Sequence, residues 1–210
     1  MEIASLTSQR DAATKKAERL EVAMQLLKVQ HRVARLKVLD QREVAAPTAD
    51  SSDAEAKKLV TRIEFVEVND DGQPIGKPRE FDIEGDLVFI DYLRVTFDDR
   101  YIELSDLDRS TAICLFQRIF GEHQEPIDGF QIDDVGTRPT AYARGGEMSD
   151  FERKIWNDFW SIANDPQRAA ELGIHAAHEV ASAMRVQPGK TYEVKLRSTG
   201  DMTIRPVEKP

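Results

Sequence analysis

Apolar residues recur at heptad spacing over the first part of the chain. Residues 3–38 contain no Gly and no Pro and are rich in Ala, Leu, Lys, Arg, Glu and Gln, a helix-favouring mixture. With Ile3, Arg10, Ala17, Met24, His31 and Val38 at a, and Leu6, Ala13, Leu20, Leu27 and Ala34 at d, nine of eleven seam positions are apolar. That spacing predicts a long N-terminal coiled-coil helix over residues 1–44. Its Ala-rich seam allows close helix approach with weak association. Arg10 and His31 in the seam would set register or oligomer state at a cost in stability. The pattern implies a homo-oligomer, or a partner helix, through residues 3–38; the competing arrangement packs the helix on its own globular domain.

Residues 45–58 are small, polar and acidic and read as a linker. From residue 59 the period changes. Ile63 and Phe65 share one face, with Val66 and Val68 on the other, and Asn69-Asp70-Asp71-Gly72 is a turn signal. A second run covers Arg79–Ile83. Leu87, Phe89, Leu93, Val95 and Phe97 then all take odd positions, and Asp98-Asp99-Arg100 turns the chain into Tyr101–Leu104. Ala112–Phe120 reads as a strand, and residues 121–147 as a long loop punctuated by Pro and Gly.

Helices are expected near 149–172. Ser149 to Glu152 forms a capping box, and Phe151, Ile155, Phe159 and Ile162 recur at helical spacing, joined by Trp156 and Trp160. Asp165-Pro166 starts a short second helix that Gly173 ends. Ala183–Val186, a Pro188-Gly189 turn, alternating Tyr192, Val194 and Leu196, and a Gly200-Asp201 turn before Met202–Ile204 return the chain to strands. Short turns between consecutive strands mean antiparallel pairing. The expected fold is therefore α+β: a coiled-coil helix, then an antiparallel β-sandwich or barrel-like domain over 59–210 with a helical insertion.

Charge divides the chain unevenly. The net charge is −9, yet residues 1–45 hold nine Lys/Arg against six Asp/Glu, which leaves about −12 on the remainder. Such an acidic domain repels phosphate backbones and is a poor nucleic-acid binder. One cysteine, Cys114, rules out an intramolecular disulfide. No apolar run approaches the roughly 20 residues that span a bilayer, so no transmembrane segment is expected and the chain as given reads as soluble.

Three segments carry a resemblance: LLKVQHRVARLKVLDQ (Leu26–Gln41), CLFQRIFGEHQEP (Cys114–Pro126) and GGEMSDFERKIWNDFWSIANDP (Gly145–Pro166). Together they resemble a group of uncharacterised bacterial proteins built from an N-terminal membrane anchor, a coiled coil and a strand-rich globular domain. The resemblance covers most of the chain and implies no reaction, ligand or catalytic residue. This sequence departs from the group in lacking the anchor. The resemblance implies a globular domain facing outside the cytoplasm, as the extracytoplasmic part of an anchored protein.

Candidate chemistry is sparse. His175 and His178 form H-x-x-H, followed by Glu179; on a helix the pair would share a face at ligand-capable spacing, with His123 or a carboxylate needed to complete a site. The competing reading is an exposed pair. Asp98, Asp99, Asp106 and Asp108, and again Asp128, Asp133 and Asp134, offer calcium-type oxygens without the EF-hand pattern, and solvated loop carboxylates account for them as well. Asp91 falls between Phe89 and Leu93 on the expected core face, where a carboxylate must be paired, hydrogen-bonded or protonated. Trp156 and Trp160 could stack on a sugar or a peptide, or belong to the core. Cys114, within an apolar run, reads as an inert small hydrophobe. Nucleophile-elbow, P-loop and dinucleotide-binding signatures do not occur.

No catalytic, metal or cofactor residue is assigned. The sequence points to a non-catalytic structural or interaction protein, oligomerised by its helix. Its alternative is a carbohydrate- or calcium-binding domain, and behind that a hydrolase using Asp91 with His175 or His178.

Overall fold

A computed structural model describes Val29, residues 31–45, 57–97, 112–143, 174–180 and 183–207, and Arg153, Trp156, Asn157, Trp160, Ser161, Asp165 and Gln167. Among the described residues ten strands form two sheets: β1 (His31–Ala45), β2 (Lys57–Val68), β3 (Arg79–Glu84), β4 (Leu87–Phe97), β5 (Ala112–Gly121), β6 (Phe130–Gln131), β7 (Ile174–Val180), β8 (Met184–Arg185), β9 (Thr191–Arg197) and β10 (Met202–Pro206). The first sheet runs β10-β9-β1-β2-β3. The second runs β6-β5-β4-β7, with β8 also on β4. Every pairing is antiparallel.

The expected coiled-coil helix is overturned at its C-terminal end. Residues 31–38, counted as its last turns, are the start of β1, the central strand of the first sheet. Residues 3–28 lie outside the described residues. The physical reason is a second period in the same segment. Arg32, Ala34, Leu36 and Val38 alternate strictly with Val33, Arg35 and Lys37 and are all buried. Alternation matches a strand with one covered face. β1 gains partners on both edges, Val33 facing Val68 of β2 and Lys195 of β9. An isolated helix has no comparable long-range partners. Ala45 and Lys57, both inside the 45–58 stretch that reads as a linker, are strand residues and register partners at the end of the β1–β2 pair; residues 46–56 lie outside the described ones.

Other elements form as the pattern predicts. Asn69 Oδ1 accepts from the Asp71 and Gln73 N–H groups in the turn after β2, where Gly72 takes φ +74°. Ala112–Phe120 is strand, within β5. Asp165 Oδ1 accepts the Gln167 N–H, the bond expected of an N-cap. Of residues 149–172 only isolated positions are described, and Arg153, Trp156, Asn157, Trp160 and Ser161 among them are helical. Residues 98–111, with the expected Tyr101–Leu104 strand and four aspartates, lie outside the described residues.

The two sheets face each other across a core of Leu36, Val38, Ile63, Phe65, Phe81 and Ile83 from the first, and Val88, Ile90, Tyr92, Phe116 and Ile119 from the second. The outer face of the first sheet is polar. Arg62 pairs with Glu80 and Lys58 with Glu84 between β2 and β3, and Arg42 of β1 reaches across β2 to Asp82 of β3. Such exposed pairs contribute little each, but they oppose unlike charges across the sheet. The second sheet is buried on its far side too: Leu93, Val95, Ile113 and Leu115 are fully covered, as are Trp156 and Trp160.

The β3 and β6 edges fall on one flank of the sandwich. Phe81 of β3 stacks on Phe130 of β6, and Gln124 Oε1 accepts both the Glu84 and the Gly121 N–H. Gly121 is needed there because a Cβ would come 2.0 Å from the Glu84 carbonyl oxygen. Gly121→Ala should therefore cost about 1–3 kcal/mol through backbone displacement, read as a lower urea midpoint with an unchanged slope.

Candidate functional site

One buried polar cluster ties the sheets together. Arg32 points from β1 into the sandwich, where its side chain is almost wholly buried. All five of its N–H groups are used. Nε and Nη2 donate to Glu67 at 2.7 and 2.9 Å; Nη1 and Nη2 donate to Asp133 at 2.6 and 2.9 Å; Nη1 also donates to the Cys114 carbonyl at 3.2 Å. The guanidinium lies 4.6 Å from the Phe116 ring centre and 5.7 Å from that of Tyr142. Burial alone would favour its neutral form. Asp133 and then Glu67 outweigh this by charge and hydrogen bonding and hold its pKa above the ordinary arginine value.

The cluster also satisfies the edge of β5. Upstream of the short β6 pairing, β5 has backbone groups that no strand meets among the described residues. The Tyr142 hydroxyl accepts the Cys114 N–H and donates to the Cys114 carbonyl. Asp133 Oδ2 accepts the Phe116 N–H, while the Asp133 N–H donates to the Phe116 carbonyl. Side chains thus do the work of a missing strand in a place where unmet backbone groups are costly. An open depression of about 420 Å³ lies over the cluster, lined in part by His31, Arg32, Glu67 and Asp70. Its polar side chains already face each other: His31 Nε2 sits 2.9 Å from Asp70 Oδ1, and Arg32 holds Glu67.

A second polar group closes the opposite flank. The Tyr92 hydroxyl lies 2.7 Å from Glu179 Oε2 and 2.6 Å from the Gly200 carbonyl, and Arg94 pairs with Glu179 at 3.2 Å. The Cys114 thiol is nearby, donating to the Arg197 carbonyl at 3.2 Å. Burial pushes this thiol up to about 11, which disfavours the thiolate that nucleophilic chemistry requires.

The residues singled out in the sequence are scattered. His175 and His178 lie in strand β7, opposite Thr96 and Leu93, not on a helix. The shared-face argument for the pair holds for a helix, and β7 is a strand. Asp91 is buried with Arg118 as its register partner in β5; it occupies the odd face of β4, away from the inter-sheet core lined by Val88, Ile90 and Tyr92. Trp156 and Trp160 are 1% and 3% exposed, which removes them as a stacking platform for an outside ligand. The Trp156 ring meets Tyr142 at 5.6 Å, and Trp160 Nε1 donates to the Thr137 carbonyl. Asp133 belongs to Arg32, whereas Asp128 and Asp134 are exposed. His123 is exposed beside the β3 end, its N–H donating to the Glu84 carbonyl. Asp98, Asp99, Asp106 and Asp108 lie outside the described residues.

Sequence reasoning missed Arg32, Glu67 and Tyr142, and also the apolar rim of the β3/β6 flank. Among the described residues the exposed large apolar side chains are Ile127 (72%), Val135 (63%), Val207 (48%) and Phe130 (36%). Three of these four fall between positions 127 and 135, in the segment that carries β6, and Phe130 among them stacks on Phe81 of β3. Glu125, Asp128 and Asp134 stand exposed among them. Among the described residues no helix is long and apolar enough to cross a membrane. No family model, no curated protein and no solved structure matches the chain.

Removing Arg32 leaves two carboxylates facing each other in the interior. Arg32→Met should lower stability by about 3–5 kcal/mol, and Asp133→Asn by a comparable amount, both measured by urea unfolding. The pH dependence follows from the raised thiol, joined by the Tyr142 and Tyr92 hydroxyls, which burial also raises. These groups stay protonated in the folded chain when the unfolded chain begins to ionise. The thiol contribution is full below its ordinary value near 9 and is lost as pH rises through about 11, whereas that of the two hydroxyls is full below about 10 and is lost only at still higher pH. Cys114→Ala removes the thiol part. The stability difference between wild type and this variant should shrink by up to about 2–3 kcal/mol between about pH 8 and pH 11, read from paired denaturation curves.

Proposed function

We propose that the chain is a non-catalytic interaction module whose binding surface is the β3/β6 flank of the sandwich. The observation that carries this is the concentration of exposed apolar side chains at Ile127, Phe130 and Val135. Single exposed apolar residues are ordinary, but several within one short segment, one of them packed on a sheet edge, favour an interaction surface. Phe130 is anchored by its stack on Phe81, so it is presented on a rigid support. The reactive groups elsewhere favour the same reading. Arg32, Glu67 and Asp133 saturate one another, and the Cys114 thiol is held protonated. A carbohydrate or calcium site has less support, because the two tryptophans are buried and Asp133 is engaged by Arg32.

The test is selection from a displayed library of random peptides on the wild-type chain, with counter-selection on an Ile127→Ser/Val135→Ser variant. Both positions are well exposed, so the variant should keep its circular dichroism and melting temperature. Peptides that bind wild type and lose about tenfold or more in affinity on the variant are expected, a difference of about 1.4 kcal/mol. A library that enriches nothing beyond the counter-selected background would sink the reading.

A further inference from the structure

Phe130 of the rim stacks on Phe81 at an open strand edge, and exposed carboxylates stand on both the edge and the rim. β3 pairs with β2 alone. The Glu84 N–H and carbonyl turn away from β2, toward Gln124 and His123, whereas the neighbouring Gly85 N–H meets the Leu59 carbonyl of β2. Inward and outward backbone groups alternate along an antiparallel strand. The N–H and carbonyl groups of Glu80 and Asp82 therefore also turn outward, and among the described residues no element pairs with them.

The two faces of this edge differ. On the core side, Phe81 and Ile83 are buried, and Phe130 covers Phe81. On the outer side stand the Glu80 and Asp82 carboxylates. Each gives one oxygen to an arginine, Glu80 Oε2 to Arg62 and Asp82 Oδ2 to Arg42. Glu125, Asp128 and Asp134 add exposed carboxylates on the rim, and none of them is in an ion pair among the described residues.

We infer that the occupant of this flank is an extended segment of another protein, with apolar residues alternating with Lys or Arg, that adds as a strand to β3. The inference rests on the interaction reading above and specifies its partner. Backbone bonds to Glu80 and Asp82 supply the pairing, as in strand addition generally. The alternate side chains of the added strand meet two different surfaces, with its apolar residues toward the loop that carries Phe130 and Ile127 and its cations beside Glu80 and Asp82. A second copy of this chain fits poorly, because two such edges would bring like-charged carboxylates together. The open stretch is short: Gln124 and His123 close its Glu84 end, and Arg79 donates to the Ile132 carbonyl near the other. A short edge gives little affinity to any chance strand, so side chains must select the partner.

The probe is a short synthetic peptide in which lysine alternates with valine and phenylalanine, measured by fluorescence polarisation and backbone amide exchange. Two controls accompany it: the same peptide with glutamate for lysine, and one N-methylated on the edge-facing amides. The lysine peptide should bind and slow exchange of the Glu80 and Asp82 amides. Both controls should bind about tenfold or more weakly, as should the lysine peptide on the folded Ile127→Ser/Val135→Ser variant. Equal binding by either control, or protection of amides elsewhere, would overturn the inference. Self-association that protects the β3 amides without peptide would assign the edge to a second copy and overturn it as well. The two readings fail separately. If library selection yields rim-dependent peptides that lack basic residues or tolerate N-methylation, only the strand-addition inference falls. If it yields no rim-dependent peptide, the interaction reading falls with it.

Discussion

A single buried cation organises this sandwich. Arg32 reaches from the central strand of one sheet to the edge of the other, where it holds Asp133 and Glu67 and touches the β5 backbone. Burying a guanidinium is unfavourable unless every N–H is met and charge is compensated nearby. Here both conditions hold, with two carboxylates and an aromatic ring on hand. The arrangement dictates much around it. Asp133 must stand where it can bond both Arg32 and Phe116, which positions the segment after β6; Tyr142 must reach Cys114, which positions the segment after that. The loop between β5 and residue 143 is therefore pinned at its middle and its end by polar contacts. A well-packed apolar replacement could be as stable, so the value of the cluster lies in specifying one arrangement of that loop.

The two flanks of the sandwich are closed by different chemistry. On the β9/β10 side, Tyr92, Arg94 and Glu179 reach the turn at Thr199 and Gly200, where a Cβ on Gly200 would strike Arg94. On the β3/β6 side, closure is largely aromatic and leaves apolar surface outside. The short β6 is the reason: two residues cannot cover the rest of β5, nor shield Phe130 and its neighbours from solvent. The same pinning that orders the loop holds its apolar side chains outward on a firm base, which is the combination a recognition surface requires.

Much of the second half of the fold was legible. Alternation in Tyr192, Val194 and Leu196, the turn residues around Gly72, Gly189 and Gly200, and the aromatic run of β5 each point to one element, because local propensity and burial agree there. The first strand was not legible, because residues 31–38 satisfy two periods at once. Ala34 and Val38 fit a heptad seam as well as an alternating strand. Only the burial of Arg32 in line with them, and the distant partner β9, separate the two. His175 and His178 show a related limit: their spacing of three was weighed as helical, and the segment is strand β7. Asp91 was read on the right strand and the wrong core, since β4 is covered on both faces and alternation alone cannot tell which cover is the sandwich interior.

By itself the sequence determined an antiparallel, turn-connected, acidic β domain, because hydrophobic alternation and turn chemistry act between neighbours a few residues apart. Only the tertiary structure decided the role of residues 31–45, the joining of Arg32 to Glu67 and Asp133, and the stacking of Phe130 on Phe81 at the β3 edge. These depend on residues remote in the chain that meet only once strands have paired. Nothing in a local window records which distant carboxylate will meet a buried arginine, or which strand will be left at an edge.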